Sequence, residues 1–326
     1  MIHTIRWAAV AAASLTLVAG SATAAEVTLR GASCFPIGAP PGRPFEAVVK
    51  AVNERGKGKV QIDLVGGAPA IGSPFTLTQK MSKGAYDVVG CTEAYFGNVL
   101  PEAPVLRLQE YTFAELRKNG GFDYVQNLLH KKNLHLVARH HDFGPFHLWL
   151  SKKIDKPDLT GLNLRVSPVY TSLFKALGAT VQRSNIQQIY TYMENGTVQG
   201  YGWPALGWVP SWVKVTKWRV EPGFYQSSLH TVVNYKKWKS LSADQQAVLN
   251  EVGLAFEARA ETSTPEFQAA LKKQSDKVAA GGLNAITFTG ADREKWIKTA
   301  SDAAWSEVLE RSPEHGPKLK ALFTRN

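Results

Sequence analysis

The residues in this chain best suited to chemistry are a few acids and histidines near strand-like segments, and two cysteines. His140-His141-Asp142, with His147 further on, has the ligand types of a metal site. The spacing fits neither of the helical patterns HxxxH and HExxH. If the segment is a strand, His140 and His141 point to opposite faces and do not converge. No metal and no cofactor are expected. Serine, histidine and aspartate all occur, but no GxSxG elbow does. Glu93 with His140 or His141 offers acid–base groups, yet no positioned nucleophile–base pair is legible. An exported hydrolase or lyase is therefore a remote alternative. Cys34 and Cys91 each follow a predicted strand. If those strands are neighbours, as in a 2-1-3 order, the two can reach disulfide distance. The other reading is a pair of small buried apolar side chains.

The elements that would position these residues follow from the patterning. Glu26–Ala32 alternates as a strand, Phe45–Arg55 has apolar residues at helical spacing, and Val60–Val65 is a second strand. Thr76–Ser82 is a short helix and Tyr86–Cys91 a third strand. This β-α-β-α-β order predicts a parallel sheet covered on both faces. His135–His140 and His147–Ser151 read as two further strands. The pattern then restarts with strand Leu162–Val166, helix Thr171–Leu177, strand Thr180–Arg183, helix Ile186–Met193 and strand Val198–Gly202. Leu229–Asn234 reads as a strand returning between the units. Ser242–Ala280 is a long helical stretch with a capping start, Asn284–Phe288 a short strand, and Ala291–Glu310 a final helix. Two successive α/β units make a cleft at the C-terminal ends of their strands, where such sheets bind ligands. The loops near Phe35, Glu93, Phe143, Arg165 and Trp203 should face it.

Composition excludes several classes. The chain has 326 residues, 44% hydrophobic and 20% charged, which is globular material. Its net charge of +11 is scattered, so it suits capture of small anions better than nucleic acid. Two cysteines cannot make a zinc ribbon. At the N-terminus, Arg6, the apolar run Ala8–Gly20 and Ala22-Thr23-Ala24 have the three regions of a secretory signal peptide. The run is shorter than the ~20 residues needed to span a bilayer. Residues 1–24 are expected to be removed, giving an exported periplasmic protein that does not itself span the membrane.

Several segments together resemble the substrate-binding proteins of tripartite ATP-independent periplasmic (TRAP) transporters, the dicarboxylate-binding-type family. Gly56-Lys57-Gly58-Lys59-Val60 and Lys83-Gly84-Ala85-Tyr86-Asp87-Val88 resemble the family's "GKV … v..GaiD" stretch. More specific is Asp158–Val166 (DLTGLNLRV), similar to "DLKGLKIRV". It leads to Leu177-Gly178-Ala179 and to Ile189–Gly200, which is similar to "vYtALqtGvvDG". Trp238–Ser242 resembles the start of the long helix. The resemblance covers nearly the whole mature chain.

The resemblance implies a two-domain, class II-like α/β binding protein with a hinge, crossing strands and a long helix. Lobe I would hold residues 25–145 and 230–270, and lobe II residues 146–229 and 271–326. It implies no catalysis. The protein would be a receptor that closes on a small organic carboxylate and delivers it to the small and large TRAP permease subunits. Arg165, the arginine of the "GLKIRV" block, would anchor the carboxylate, since a guanidinium offers a planar, permanently charged fork. Gln199 and Trp203 would shape the pocket; Tyr95, Phe143 and Glu93 would complete it. Gln199 stands where the family has Asp. Gly202 stands where the keto-acid branch often has an acidic residue linked to a bound cation, so no cation is expected. A monocarboxylate with an apolar or aromatic body fits best. A keto acid or dicarboxylate remains the alternative, with Arg43 or Arg183 as the second cation. An ATP-driven importer or a sensor is the alternative partner.

Overall fold

The computed structural model describes residues 25–325; residues 1–24, the expected signal peptide, lie outside them. The order is β1 (Val27–Ser33), α1 (Arg43–Arg55), β2 (Val60–Gly67), α2 (Pro74–Ser82), β3 (Val88–Thr92), α3 (Phe113–Asn119), α4 (Gly121–Lys131) and β4 (Leu134–Leu150). Then come β5 (Asn163–Val166), α5 (Thr171–Ala176), β6 (Thr180–Arg183), α6 (Gln188–Glu194), β7 (Gly200–Pro204), β8 (Trp218–Glu221) and β9 (Phe224–Asn234). The chain ends with α7 (Tyr235–Ser240), α8 (Ala243–Arg259), α9 (Pro265–Ala280), β10 (Asn284–Thr287), α10 (Gly290–Arg311) and α11 (Gly316–Phe323).

One sheet runs in the order β2-β1-β3-β9-β4-β7-β5-β6, with β8 pairing β4 and β10. Both predicted α/β units are present. β2, β1 and β3 are parallel neighbours, as are β6, β5 and β7. Between them β9 and β4 run antiparallel to each other. These two strands cross from one unit to the other. The four phenylalanine and valine side chains that α1 buries, Phe45, Val48, Val49 and Val52, follow its helical period.

Two sequence expectations are corrected. The two runs His135–His140 and His147–Ser151 are one strand, β4, whose pairing with β9 shifts register between Asp142 and Pro145. Gly144 there has φ +76°, so the Gly-Pro pair marks an irregularity and not a strand end. The stretch 242–280 is two helices, because Pro265 starts a new one, capped by Thr264 through the amide of Phe267. Within α8, the capping box of Ser242 and Gln245 matches the expected start.

Candidate functional site

The parallel strands of the two units end facing one another, and the loops after them enclose a small cavity. The first unit supplies Phe35 after β1 and Thr92, Ala94 and Tyr95 after β3. The second supplies Ser167 and Tyr170 after β5 and Trp203 at the end of β7. Phe143, Phe146, Ser227 and Leu229 on the crossing strands close the back. The enclosed space is about 30 Å³. That is room for a water, which needs ~10–15 Å³ by such a measure, and not for an organic acid.

A disulfide holds the first wall. Cys34 and Cys91 stand at the ends of neighbouring β1 and β3, with Cα atoms 5.0 Å apart. The amide of Cys34 also donates to Gly90 O at 3.0 Å. Phe35 and the Glu93–Tyr95 turn are thus tied to one another. Tyr95 packs edge-on to Phe75 at 4.8 Å and lies 6.1 Å from Phe35. Burial pushes its phenol up to about 12, against the pull of Arg165 and Arg183.

Arg165 lies in β5, fully buried. Its Nη1 donates to the Tyr170 hydroxyl at 2.9 Å, its Nε to Ser184 Oγ at 3.3 Å and its Nη2 to Ser184 O at 2.5 Å. All three acceptors are neutral. Among the described residues, no carboxylate lies within ion-pair distance of this guanidinium. Tyr170 in turn donates to Gly202 O at 2.5 Å and packs against Phe146, with ring centres 5.4 Å apart. A Cβ on Gly202 would stand 2.5 Å from the Tyr170 ring. Glycine is required there because the tyrosine occupies the room a side chain would take.

The structure brings Tyr95, Phe143 and Trp203 together around one space. Phe143 lies within β4 and Trp203 within β7, not after those strands. Trp203 spends its indole N–H on Gly207 O at 3.1 Å and so presents a ring face. Phe143 packs where a Cβ on Gly207 would stand 3.0 Å from it. Arg165 sits behind Tyr170, one layer from the cavity.

Gln199 and Glu93 are not brought to that space. Gln199 precedes β7, at the opposite end of the strand from the cavity; its Oε1 accepts from Asn163 N at 2.9 Å and its Nε2 donates to Gly196 O at 3.1 Å. It braces the turn before the strand. Glu93 is buried and directed away from the wall, although its neighbours Thr92 and Ala94 line it. Thr92 Oγ1 donates to Glu93 Oε2 at 2.9 Å. Burial raises the Glu93 carboxyl to about 7, offset in part by Arg107 and by that hydrogen bond. His140 and His141 diverge: His140 Nδ1 pairs with Thr231 Oγ1 at 3.0 Å, and His141 packs edge-on against Phe143.

Tyr170 and Phe146 are not among the candidates, because an aromatic near a strand end reads as readily as core packing. Ser167, which lines the cavity, and Ser184, which holds Arg165, carried no sequence signal. Ser167-Pro168 directly after the strand is the one local mark of a turn there.

Two α/β units joined by crossing strands, with an enclosed space between their strand ends, define a two-lobed binding protein. Residues 38–312 match the DctP family, bacterial extracellular solute-binding protein family 7, and the chain belongs to that family. The family is one of binding proteins, which sets the hydrolase or lyase reading aside. A protein of Sinorhizobium fredii named y4mM is 26% identical over 315 residues, which are 88% of this chain and 55% of that protein. The chain spans about half the length of the curated relatives it matches. A TRAP periplasmic solute-binding protein from Desulfovibrio salexigens, solved with orotic acid, superposes with a TM-score of 0.78 at 19% identity, over 91% of this chain and 97% of that one. The Bordetella pertussis receptor DctP7, solved with pyroglutamic acid, gives 0.77 at 13% identity, over 92% of this chain and 100% of that one. These likenesses are of fold.

Proposed function

We propose that the protein is a periplasmic receptor that closes its two lobes on a small organic carboxylate and passes it to a TRAP-type permease. The observation that carries this reading is the buried Arg165 guanidinium with only neutral partners. An uncompensated buried cation is costly, and an anionic ligand would balance it. The planar fork suits a carboxylate's two oxygens. Solved receptors of the same fold hold orotic and pyroglutamic acids. Among the described residues no helix is long and apolar enough to cross a membrane. That is consistent with separate permease subunits supplying the route across it.

The walls support the ligand class. Phe35, Phe143, Phe146, Tyr170 and Trp203 surround the space with aromatic rings. They favour a monocarboxylate with a flat or apolar body, stacked and desolvated. The Tyr95 hydroxyl has no hydrogen-bond partner among the described residues and is free for a ligand oxygen. At about 30 Å³ the space must widen to admit such an acid. Lobe opening with rotation of Tyr170 off Arg165 would do both. Hinge closure with ligand preferring the closed state then retains it. Arg183 of the second unit, stacked 4.1 Å over Phe75, which itself packs against Tyr95, supports a dicarboxylate or keto acid as a second reading.

The test is a thermal-shift screen of the mature protein against mono-, di- and aromatic carboxylates, followed by calorimetry of Arg165→Ala. A ligand specific for the folded state raises the melting temperature with its concentration. Removing a buried charge partner should weaken binding by roughly 100-fold or more. Affinity within about threefold of wild type, around 0.6 kcal/mol, would refute the anchor role.

A further inference from the structure

A second cavity, of about 250 Å³, lies behind the crossing strands. Gln226 of β9 faces it, whereas Ser227 faces the first cavity, as strand alternation requires. Its walls come from three separate parts of the fold: Arg107 and Gln109 beyond β3, Tyr225 and Gln226 at the start of β9, and Ala300 and Trp305 on α10.

Arg107 dominates it. The side chain is only 2% exposed, and its Nε and Nη2 make no hydrogen bond. Those two N–H groups form one edge of the guanidinium, the edge that pairs with two oxygens of an anion. The nearest carboxylate oxygen, Glu307 Oε2, stands 3.8 Å from Nη2. Glu307 is otherwise engaged: it accepts from Arg311 Nη1 at 3.1 Å and from Ser172 Oγ at 3.4 Å. Two other acids are near: Glu93, which burial keeps partly protonated near neutrality, and Glu110, which lines the cavity and accepts from the amide of Arg325 at 2.7 Å. The charge of Arg107 is thus poorly matched from within the chain.

Two neighbouring amides also hold unpartnered atoms. Gln109 Oε1 and Gln226 Oε1 are buried without partners. A half-turn of either amide exchanges its oxygen for an NH₂ donor. Tyr225 backs the site: its ring centre lies 5.5 Å from the guanidinium carbon of Arg107. Its φ is +43°, a left-handed conformation that costs a non-glycine residue energy. Its hydroxyl is fixed to Ala300 O at 2.6 Å.

We propose that this cavity is a second anion site, taking a small carboxylate or inorganic oxyanion against Arg107, Gln109 and Gln226. It is separate from the cleft between the lobes, and it does not depend on the ligand assigned to that cleft.

Acetate and sulfate are the probes, each used in radiolabelled form in equilibrium dialysis. Arg165→Gln is the background, so that the cleft does not contribute. The expected result is one equivalent of probe bound by Arg165→Gln. Adding Arg107→Gln should weaken it at least tenfold, and Arg107→Lys should weaken it less. If Arg107→Gln fails to fold by circular dichroism, Gln226→Leu in the same background is read instead, with the same expected loss. No binding of either probe by folded Arg165→Gln at tens of millimolar overturns the proposal. So does binding that the Arg107 or Gln226 change leaves intact.

Discussion

Tyr170 accepts a hydrogen bond from Arg165 Nη1 at 2.9 Å and donates its own to Gly202 O at 2.5 Å. The phenol thus stands where the first oxygen of a carboxylate would meet the guanidinium. Replacing Tyr170 with Phe removes this internal partner. It should lower the melting temperature of the ligand-free protein, at about 1–3 kcal/mol for the groups left unpaired. Ligand affinity should hold or tighten, because the acid no longer displaces a hydroxyl. Calorimetry and thermal melts read both quantities. Binding weakened more than tenfold would mean that the hydroxyl itself contacts the ligand.

The disulfide predicts a paired loss of stability and affinity. Cys34 and Cys91 are 57 residues apart in sequence, so their bond constrains a long loop of the unfolded chain. In the chain-entropy account that is worth about 4 kcal/mol, and commonly 2–4 in practice. Cys34→Ala/Cys91→Ala should lower the urea midpoint accordingly. It should also weaken ligand binding, because Phe35 and Tyr95 lose their common tether. The unfolded, unreduced wild type should show no titratable thiol; two would show that the bond is not formed.

Glu93 predicts a stability that falls as pH rises. Burial holds its folded-state carboxyl at about 7, above the ordinary carboxyl value of 4.5. Between those values the native state holds a proton that the unfolded chain has lost, so stability declines with increasing pH. The full difference is about 3 kcal/mol by linkage, reached above pH 7. Glu93→Gln keeps the Thr92 contact and removes the titration. The wild type minus Glu93→Gln difference in unfolding free energy should therefore become less favourable from pH 5 to pH 8. A difference that stays flat across that range would show that Glu93 has an ordinary carboxyl.

Much of the fold was legible because parallel strands leave short apolar runs between helical spacings. Thr180–Arg183 is matched to the residue, and α1 and α10 to within two. The crossing strand β4 was not, because Gly144-Pro145 within a strand looks like its end. Phe113–Lys131, which forms α3 and α4, carried no reading at all. At the site, side chains just after parallel strands were well placed by topology, hence Tyr95. Gln199 failed for the same topological reason: it lies at the wrong end of β7. Glu93 failed because a turn sends adjacent side chains in different directions, which composition and spacing do not encode. The partners that hold Arg165 come from β5–α5 and β6–α6 loops, and only the folded chain brings them together.

The crossing strands have a consequence for how this molecule can be made and altered. β9 lies between β3 and β4 but begins at Phe224, 132 positions after β3 ends at Thr92 (224 − 92). A fragment ending after β4 would leave the edges of β3 and β4 bare, and such edges recruit other chains. A fragment beginning at β5 would lack the strand that β7 and β8 pair with. Neither half is a self-sufficient piece. The two units complete one sheet only as parts of a single chain and have to be produced and inherited together.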